Sequence, residues 1–403
     1  MGGAYNVLIA RQPIFDAKLR ICGYELLFRS QQDQHQALFD DPDGATRDVI
    51  INNFMAIWDT GSKNRVFLPA YINLGRQFIL SHQIPDLPRD QVVLEVLENA
   101  GFDQLLFDAL VLLKKDGYTL ALDDFVYTPA KKPFVQLADI IKLDVLALGV
   151  EEVGRQIELL KPFGKRILAE KVETADELEQ CKALGCHLFQ GYFLSRPTLT
   201  KGKRIPASAS VLLRTLDAIS KGAGSAEVEQ IIRMDPGLTY KLLRLINSAQ
   251  FAFVREITSV RETVNLLGRI AMKKWLTMLL TVCNEQCISE QIVLALTRAR
   301  MCELLAEQKG EDTADAFILG ILSSLEMLYG VSISQILQDL PLDDRLSKGM
   351  KGVGALGELL LITRAYEREQ WNMVERLAKA PYDPGTAYME SVGWAGKMAA
   401  GLI

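Results

Sequence analysis

The residues best suited to chemistry in this chain each close a short apolar run. Glu95 lies in VVLEVLE (92–98), Asp123 and Asp124 in YTLALDDF (118–125) and Lys142 in DIIKLD (139–144). Glu170 lies in RILAEKVE (166–173) and Gln190 in HLFQGYF (187–193). Two further polar groups interrupt earlier apolar stretches: Glu25 in GYELLFRS (23–30) and Asn73 in RVFLPAYINLG (65–75). Taken singly, a strand-end acid caps a helix or meets solvent, and Asn73 caps a turn. Taken together, carboxylates with one amine and an amide suit hard divalent cations and a phosphate substrate. Carboxylates packed closely without a counter-charge repel one another, so a cluster of them needs a cation.

Apolar segments of about ten to fifteen residues, several with helical spacing, separate most of these runs. Strand–helix alternation of this kind predicts a parallel sheet buried on both faces. Closed into a barrel, it gathers strand ends and the loops after them on one face. The side-chain alternation of a strand then sorts the residues. Glu95 points inward and Glu98, three residues on, falls on the loop. Glu170 and Glu173 repeat that arrangement. Lys142 and Asp144 share one face, with Ile141 and Leu143 on the other. The polar segment 31–46, with Asp-Pro-Asp-Gly, reads as a loop, and a helix with Val49, Ile50, Phe54 and Ile57 inward follows.

Composition sets outer bounds. At 403 residues the chain has room for two domains. Hydrophobic residues make up 49% and charged residues 24%, as in globular proteins. A net charge of −5 gives no global electrostatic case for nucleic acid. No apolar run reaches the roughly 18–20 residues of a membrane helix, and no secretory signal is evident, so a cytoplasmic protein is expected. The six cysteines form no CxxC pair; Cys181/Cys186 and Cys283/Cys287 are expected reduced and buried.

GYELL, INL, LEVLE, ALDDF, IIKLD, AEKVET and QGYFLSRP fall in the order of motifs of the EAL domain of cyclic di-GMP phosphodiesterases, over about residues 9–198. The resemblance implies a TIM-like α/β barrel that opens the cyclic dinucleotide to its linear form by metal-assisted attack of water. By resemblance, Glu25, Asn73, Glu95 and Asp123 are ligands of Mg²⁺ or Mn²⁺. Asp124 is similar to the aspartate of the second metal and the water, Lys142 to the lysine near that water, and Glu170 to a glutamate of the catalytic centre. Gln190, Glu173, Leu27 and Arg29 resemble substrate-contacting positions, and Glu98 a group that supports the neighbouring loop. Two departures stand out. After Asp123-Asp124-Phe125 the family continues with a Gly-rich stretch ending in Tyr-Ser-Ser, where this chain reads VYTPAKKPFVQLAD. Val126 and Lys171 stand where glycines are usual, and the tight turn at 126 is expected to want glycine's backbone freedom.

After the basic, Pro-containing stretch SRPTLTKGKRIPAS (195–208) the patterns turn helical. The division expected is a barrel domain over 1–200, a linker over 201–208 and an all-helical domain over 209–403. Asp235-Pro236-Gly237 separates two helices, Thr258-Ser259 offers an N-cap and Gly268 a stop. The segments 235–251, 257–268 and 271–276 resemble the HDOD domain, and an EAL-like domain followed by HDOD is a recurring bacterial signalling arrangement. The chain's three histidines are His35, His82 and His187, so the helical half cannot hold a histidine–aspartate metal centre. Asn247 and Ser248 are read as bonding backbone at a helix end rather than a ligand. Arg255, Arg261, Arg269, Lys273 and Lys274 are read as a solvated face, and Trp275 with Leu276, Met278, Leu279 and Leu280 as core. Three functions stay open: a slow phosphodiesterase, a receptor that binds cyclic di-GMP without cleaving it, and a scaffold binding only protein. A protein partner through the helical half is expected, and homodimerisation stays open.

Overall fold

The computed structural model describes residues 7–30, 68–81, 84, 87–194, 206–247, 257–284, 287–330, 332 and 344–402. The loop at 31–46, the helix expected over 49–57, Ser248 and Arg255 lie outside the described residues. The chain divides into two compact units, Met1–Arg196 and Pro197–Ile403.

The first unit is an eight-stranded closed barrel with strands in sequence order: β1 (Val7–Asp16), β2 (Ile21–Ser30), β3 (Ala70–Leu74), β4 (Val92–Val96), β5 (Thr119–Leu122), β6 (Ile140–Asp144), β7 (Arg166–Glu170) and β8 (Leu188–Gln190). Neighbours from β2 to β8 are parallel. β1 is antiparallel to both β2 and β8, which corrects the expectation of a wholly parallel sheet. A tight turn joins β1 to β2, and a tight turn can only reverse a strand, whereas parallel pairing needs a long crossover. Asp16 Oδ1 accepts from the N–H groups of Lys18 and Arg20, both at 2.9 Å, and Leu19 takes φ 58° at the tip.

Side-chain alternation divides the barrel interior into layers. Ile14, Tyr71, Val93, Ala121, Ile140, Leu168 and Leu188 form one apolar cluster. Two residues further toward the carboxyl ends of the parallel strands come Asn73, Glu95, Asp123, Lys142, Glu170 and Gln190. On β1, which runs the other way, the matching position is Gln12, two residues before Ile14 and paired with Glu25 of β2. The apolar layer closes the barrel beneath the polar one. Helices between the strands bury their apolar faces on the sheet, as Leu106, Ala109, Leu110 and Leu113 do in Gln104–Lys115. This covering explains why β4 and β6 are buried along their whole length.

The second unit is helical throughout its described residues. Ser259 caps the helix Val260–Leu279 by accepting from the Glu262 N–H, and Gly268, at φ 75° and ψ 172°, breaks it as the sequence indicates. Asp235 accepts from the Leu238 N–H ahead of the helix Pro236–Ile246. Asn247 exchanges two hydrogen bonds with the backbone of Ile257, so its side chain ties two helix ends together. Leu276, Met278, Leu279 and Leu280 are buried, whereas Trp275 is half-buried. At the centre Arg298 binds Glu367 through two nitrogens, at 2.7–3.0 Å, and Ser324 Oγ at 3.1 Å. All six cysteines are free; Cys181, Cys186, Cys283 and Cys302 are buried. Among the described residues no helix is long and apolar enough to cross a membrane.

Candidate active site

The polar layer converges on one amine. Lys142 Nζ lies 2.6 Å from Asp123 Oδ1, 2.8 Å from Glu95 Oε1, and 3.4 Å from both Glu25 Oε2 and Glu170 Oε2. Lys142 and Glu95 are 0% exposed, which a charge tolerates only when paired. Around this centre Asn73 donates to Glu25 Oε1 at 2.6 Å, and Gln190 donates to Glu25 Oε2 at 2.5 Å and to Gln12 Oε1. Glu25 is thereby fixed from three sides.

The backbone around β5 and β7 sets the rim. The Asp123 N–H donates to the Val96 carbonyl and the Phe125 N–H to the Lys142 carbonyl, so the Asp123-Asp124-Phe125 turn is pinned to both neighbouring strands. Asp124 carries the positive φ of this turn, 42°, while Val126 does not. Glycine's freedom is therefore not required at 126, which corrects the sequence expectation. Position 171 is left-handed, where glycine would fit without strain, yet Lys171 holds it at φ 53°. The loop after Phe125 is closed by Lys131, stacked over the rings of Phe102 and Phe125, and by the Tyr127 N–H donating to Gln156 Oε1.

Charge is unbalanced at the centre. One ammonium faces four carboxylates, a surplus of three negative charges if all are ionised. The protonation equilibria follow. Burial pushes the Glu95 carboxyl well above its ordinary range, with the Glu25 charge adding to it and Lys142 opposing. Glu170 is likewise held well above the carboxylate range by burial, against Lys142. Burial also works against ionised Glu25, yet Lys142 and the donors of Gln190 and Asn73 prevail, so its pKa is lowered. For Lys142, burial is outweighed by the charges of Glu170, Glu25, Glu95 and Asp123, and the ammonium is held well above its usual range. Asp124 is raised by burial and by Asp123, against Lys171.

Several buried acceptors have no hydrogen-bond donor: Asn73 Oδ1, both oxygens of Glu95, Asp123 Oδ1, Glu170 Oε1 and Gln190 Oε1. Glu95 Oε1 and Asp123 Oδ1 are close to Lys142 but not aligned as hydrogen bonds with it. Oxygen-rich, electron-rich and short of donors, this set fits a divalent cation. The carboxylates are turned toward the ammonium, and among the described residues no three His, Cys, Asp or Glu side chains stand in ready metal-ligating geometry.

The other sequence-predicted residues sit around this centre. Leu27 is half-buried, two residues beyond Glu25 on β2. Arg29 follows on the same strand, paired with Leu8, and its side chain lies outside the described residues. Glu173 is half-buried ahead of the helix Ala175–Ala183. Glu98 is exposed on the helical turn after β4, outside the cluster around Lys142. Three residues of the site were not among the predicted site residues: Gln12, Asp144 and Lys171. Gln12 lies in β1, VLIARQPIFD, where apolar and polar residues do not alternate, so no local pattern marked it. Asp144 caps the helix Val145–Leu148 and accepts from Lys171 Nζ at 2.5 Å. Lys171 reaches Asp124 as well, at 3.1 and 3.2 Å. In the helical unit, Arg261 and Arg269 are exposed, as expected of a solvated basic face, and Lys273 and Lys274 are half-buried; Arg261 also pairs with Glu229, Arg269 with the Gly222 carbonyl and Lys274 with Glu303.

Fold and site together define a βα-barrel protein with a buried carboxylate–amine centre at the carboxyl ends of its strands, followed in the same chain by a helical unit. An EAL domain is matched by residues 69–197 and an HDOD domain by residues 205–335. The chain is 32% identical over 380 residues to the cyclic di-GMP phosphodiesterase CdgJ of Vibrio cholerae, covering 92% of this chain and 87% of that protein. It is 30% identical over 403 residues to the uncharacterized protein YuxH of Bacillus subtilis, covering 96% and 98%. Among solved structures, the calcium/cyclic di-GMP complex of Klebsiella pneumoniae BlrP1 is 24% identical, with a TM-score of 0.38 over 49% of this chain and 58% of that chain. This chain belongs to the EAL–HDOD family.

Proposed function

We propose that the barrel binds cyclic di-GMP on its carboxyl face and hydrolyses it slowly to linear pGpG in a divalent-metal-dependent reaction. The observation that carries this reading is the buried layer of Glu25, Asn73, Glu95 and Asp123, with acceptors that lack donors and a surplus of negative charge. The relative named as a cyclic di-GMP phosphodiesterase, aligned over 92% of this chain, supports the choice of substrate. These four residues would hold one Mg²⁺ or Mn²⁺. Such an ion polarises a phosphoryl oxygen and lowers the pKa of bound water.

The chain's own residues then have separable roles. Lys142, held as an ammonium, is unsuited to take a proton from water. Its charge orients the carboxylates and stabilises negative charge developing on the phosphoryl group. Glu170 is held toward its neutral form, with Oε1 open to the water or the leaving oxygen. Asp124 at the rim orients the water. Gln190, Leu27, Arg29 and Glu173 contact the dinucleotide, and Glu98 supports the adjoining loop.

A second reading, a receptor that binds without cleaving, draws on one observation. Both oxygens of Asp124 are engaged by Lys171 and so are less free to act. In either case the helical unit serves as a non-catalytic module that binds a protein partner. No histidine follows residue 187, which leaves that unit without the ligands of a histidine–aspartate metal centre.

Incubation of the purified protein with cyclic di-GMP and Mn²⁺, following binding and linear product together, tests these readings. Binding with slow product formation is expected. Binding without product favours the receptor, and absence of both removes the proposal. Lys142→Ala and Glu170→Ala should lose most of the rate and keep measurable binding. Wild-type rates in both would refute their assignment.

A further inference from the structure

Lys171 occupies a costly position. A residue with a Cβ at φ 53° is disfavoured by contact with its own backbone. The segment cannot relax away easily, because the next residue, Val172, donates its N–H to the Gln190 carbonyl and accepts from the Phe193 N–H. The left-handed turn carries the Lys171 amine to the rim, where two carboxylates meet it. Nζ lies 3.1 and 3.2 Å from the two oxygens of Asp124 and 2.5 Å from Asp144 Oδ2. Asp144 is anchored by its other oxygen, which accepts from the Ala147 N–H at 2.9 Å. Asp124 is itself left-handed, at φ 42°, in a turn pinned on both sides. Two backbone positions in disfavoured conformations thus hold one ammonium against two acids from neighbouring loops. Asp124 directly follows Asp123, which closes on Lys142 in the buried centre.

We propose that Lys171 is a positioning residue for Asp124, a tethered cation seated between Asp124 and Asp144 that keeps a divalent ion off Asp124. The protein then takes one divalent ion per chain, at the buried centre, and the ammonium occupies the rim with one positive charge where a second ion would bring two. This rests on the reading of Glu25, Asn73, Glu95 and Asp123 as a metal site. At the rim the chain itself already sets one positive charge against the two acids.

The test is Mn²⁺ stoichiometry on the full-length protein, by calorimetry and by electron paramagnetic resonance of the unbound ion. Wild type should take one ion, Lys171→Arg should also take one, and Lys171→Gly should take one more than wild type. The double variant Lys171→Gly/Asp124→Asn should lose that extra ion, which places it at Asp124. Glycine suits the left-handed turn, so Lys171→Gly should fold; Lys171→Met removes the amine alone and should show the same gain. Two ions in wild type, or no gain in both amine-free variants, would overturn the proposal. No ion in wild type with one in Lys171→Gly would uphold the tethered cation and remove the metal site of the proposed function. No ion in any variant would remove both.

Discussion

Lys142 is the residue on which the others depend. It is fully buried and serves four carboxylates that would otherwise face one another. Lys142→Met should therefore destabilise the metal-free protein by about 3–5 kcal/mol, the usual cost of stranding buried charge. Urea unfolding with chelator present would read this, and Mn²⁺ should restore part of the loss. An unchanged midpoint would contradict the role. The carboxylates also set a pH dependence. Glu95 and Glu170 bind protons more tightly folded than unfolded. Above the ordinary carboxylate range the folded state then carries more protons, so stability falls as pH rises through their raised values. Glu25 is shifted down and is ionised in both states over that window, so it adds no slope there. Metal-free wild type should melt lower at about pH 7 than at about pH 5 on this account. Glu95→Gln should flatten the trend, and an equally steep slope in that variant would rule Glu95 out as its source.

Strands and turns place these groups. The step of two residues from the apolar to the polar layer is repeated on strand after strand, because side chains on a strand alternate and the register of the barrel aligns the steps. The tightest point is the β8 end, where Gly191 has φ 146° and a Cβ would fall 2.1 Å from the Val172 carbonyl oxygen. Gly191→Ala must push the chain after β7 away from β8, dragging Lys171 and Gln190 with it. A loss of at least about 2 kcal/mol is expected, together with weaker Mn²⁺ binding in whatever fraction folds. Native stability in thermal melts would show that the two loops can part freely. The turn after β5 teaches the opposite lesson. Its positive φ falls on Asp124 rather than on Val126, so the absence of glycine at 126 has no conformational cost.

At the scale of the molecule, each unit carries its own buried polar anchor. In the helical unit Arg298 joins the helices Ser289–Lys309 and Gly354–Glu367 through Glu367, and reaches Ser323 and Ser324 between them. Arg298→Met leaves Glu367 buried without its partner, at a cost of about 3–5 kcal/mol. Hydrogen exchange should show lost protection in those two helices. Among the described residues the ion-pair partners of Lys142 are Glu25, Glu95, Asp123 and Glu170, all in the first unit, so Mn²⁺ binding by this variant should persist. Loss of Mn²⁺ binding would show that the two units are not energetically separate.

Much of this was legible in the chain itself. Strand-end acids, one lysine and the change to helical spacing are local patterns, and they gave the barrel, its inward-facing Glu95 and the helical second half. The N-cap at Ser259 and the break at Gly268 are local in the same sense. What the sequence could not contain was partnership at a distance. Gln12 meets Gln190 across 178 residues because β1 turns back and closes the barrel antiparallel. Lys171 meets Asp124 across 47 residues because a left-handed backbone aims it there. The types of the charged groups were fixed by composition and spacing. Which charge neutralises which was decided only when the strands closed, because ion pairing depends on separation in space and burial, neither of which is set by order along the chain.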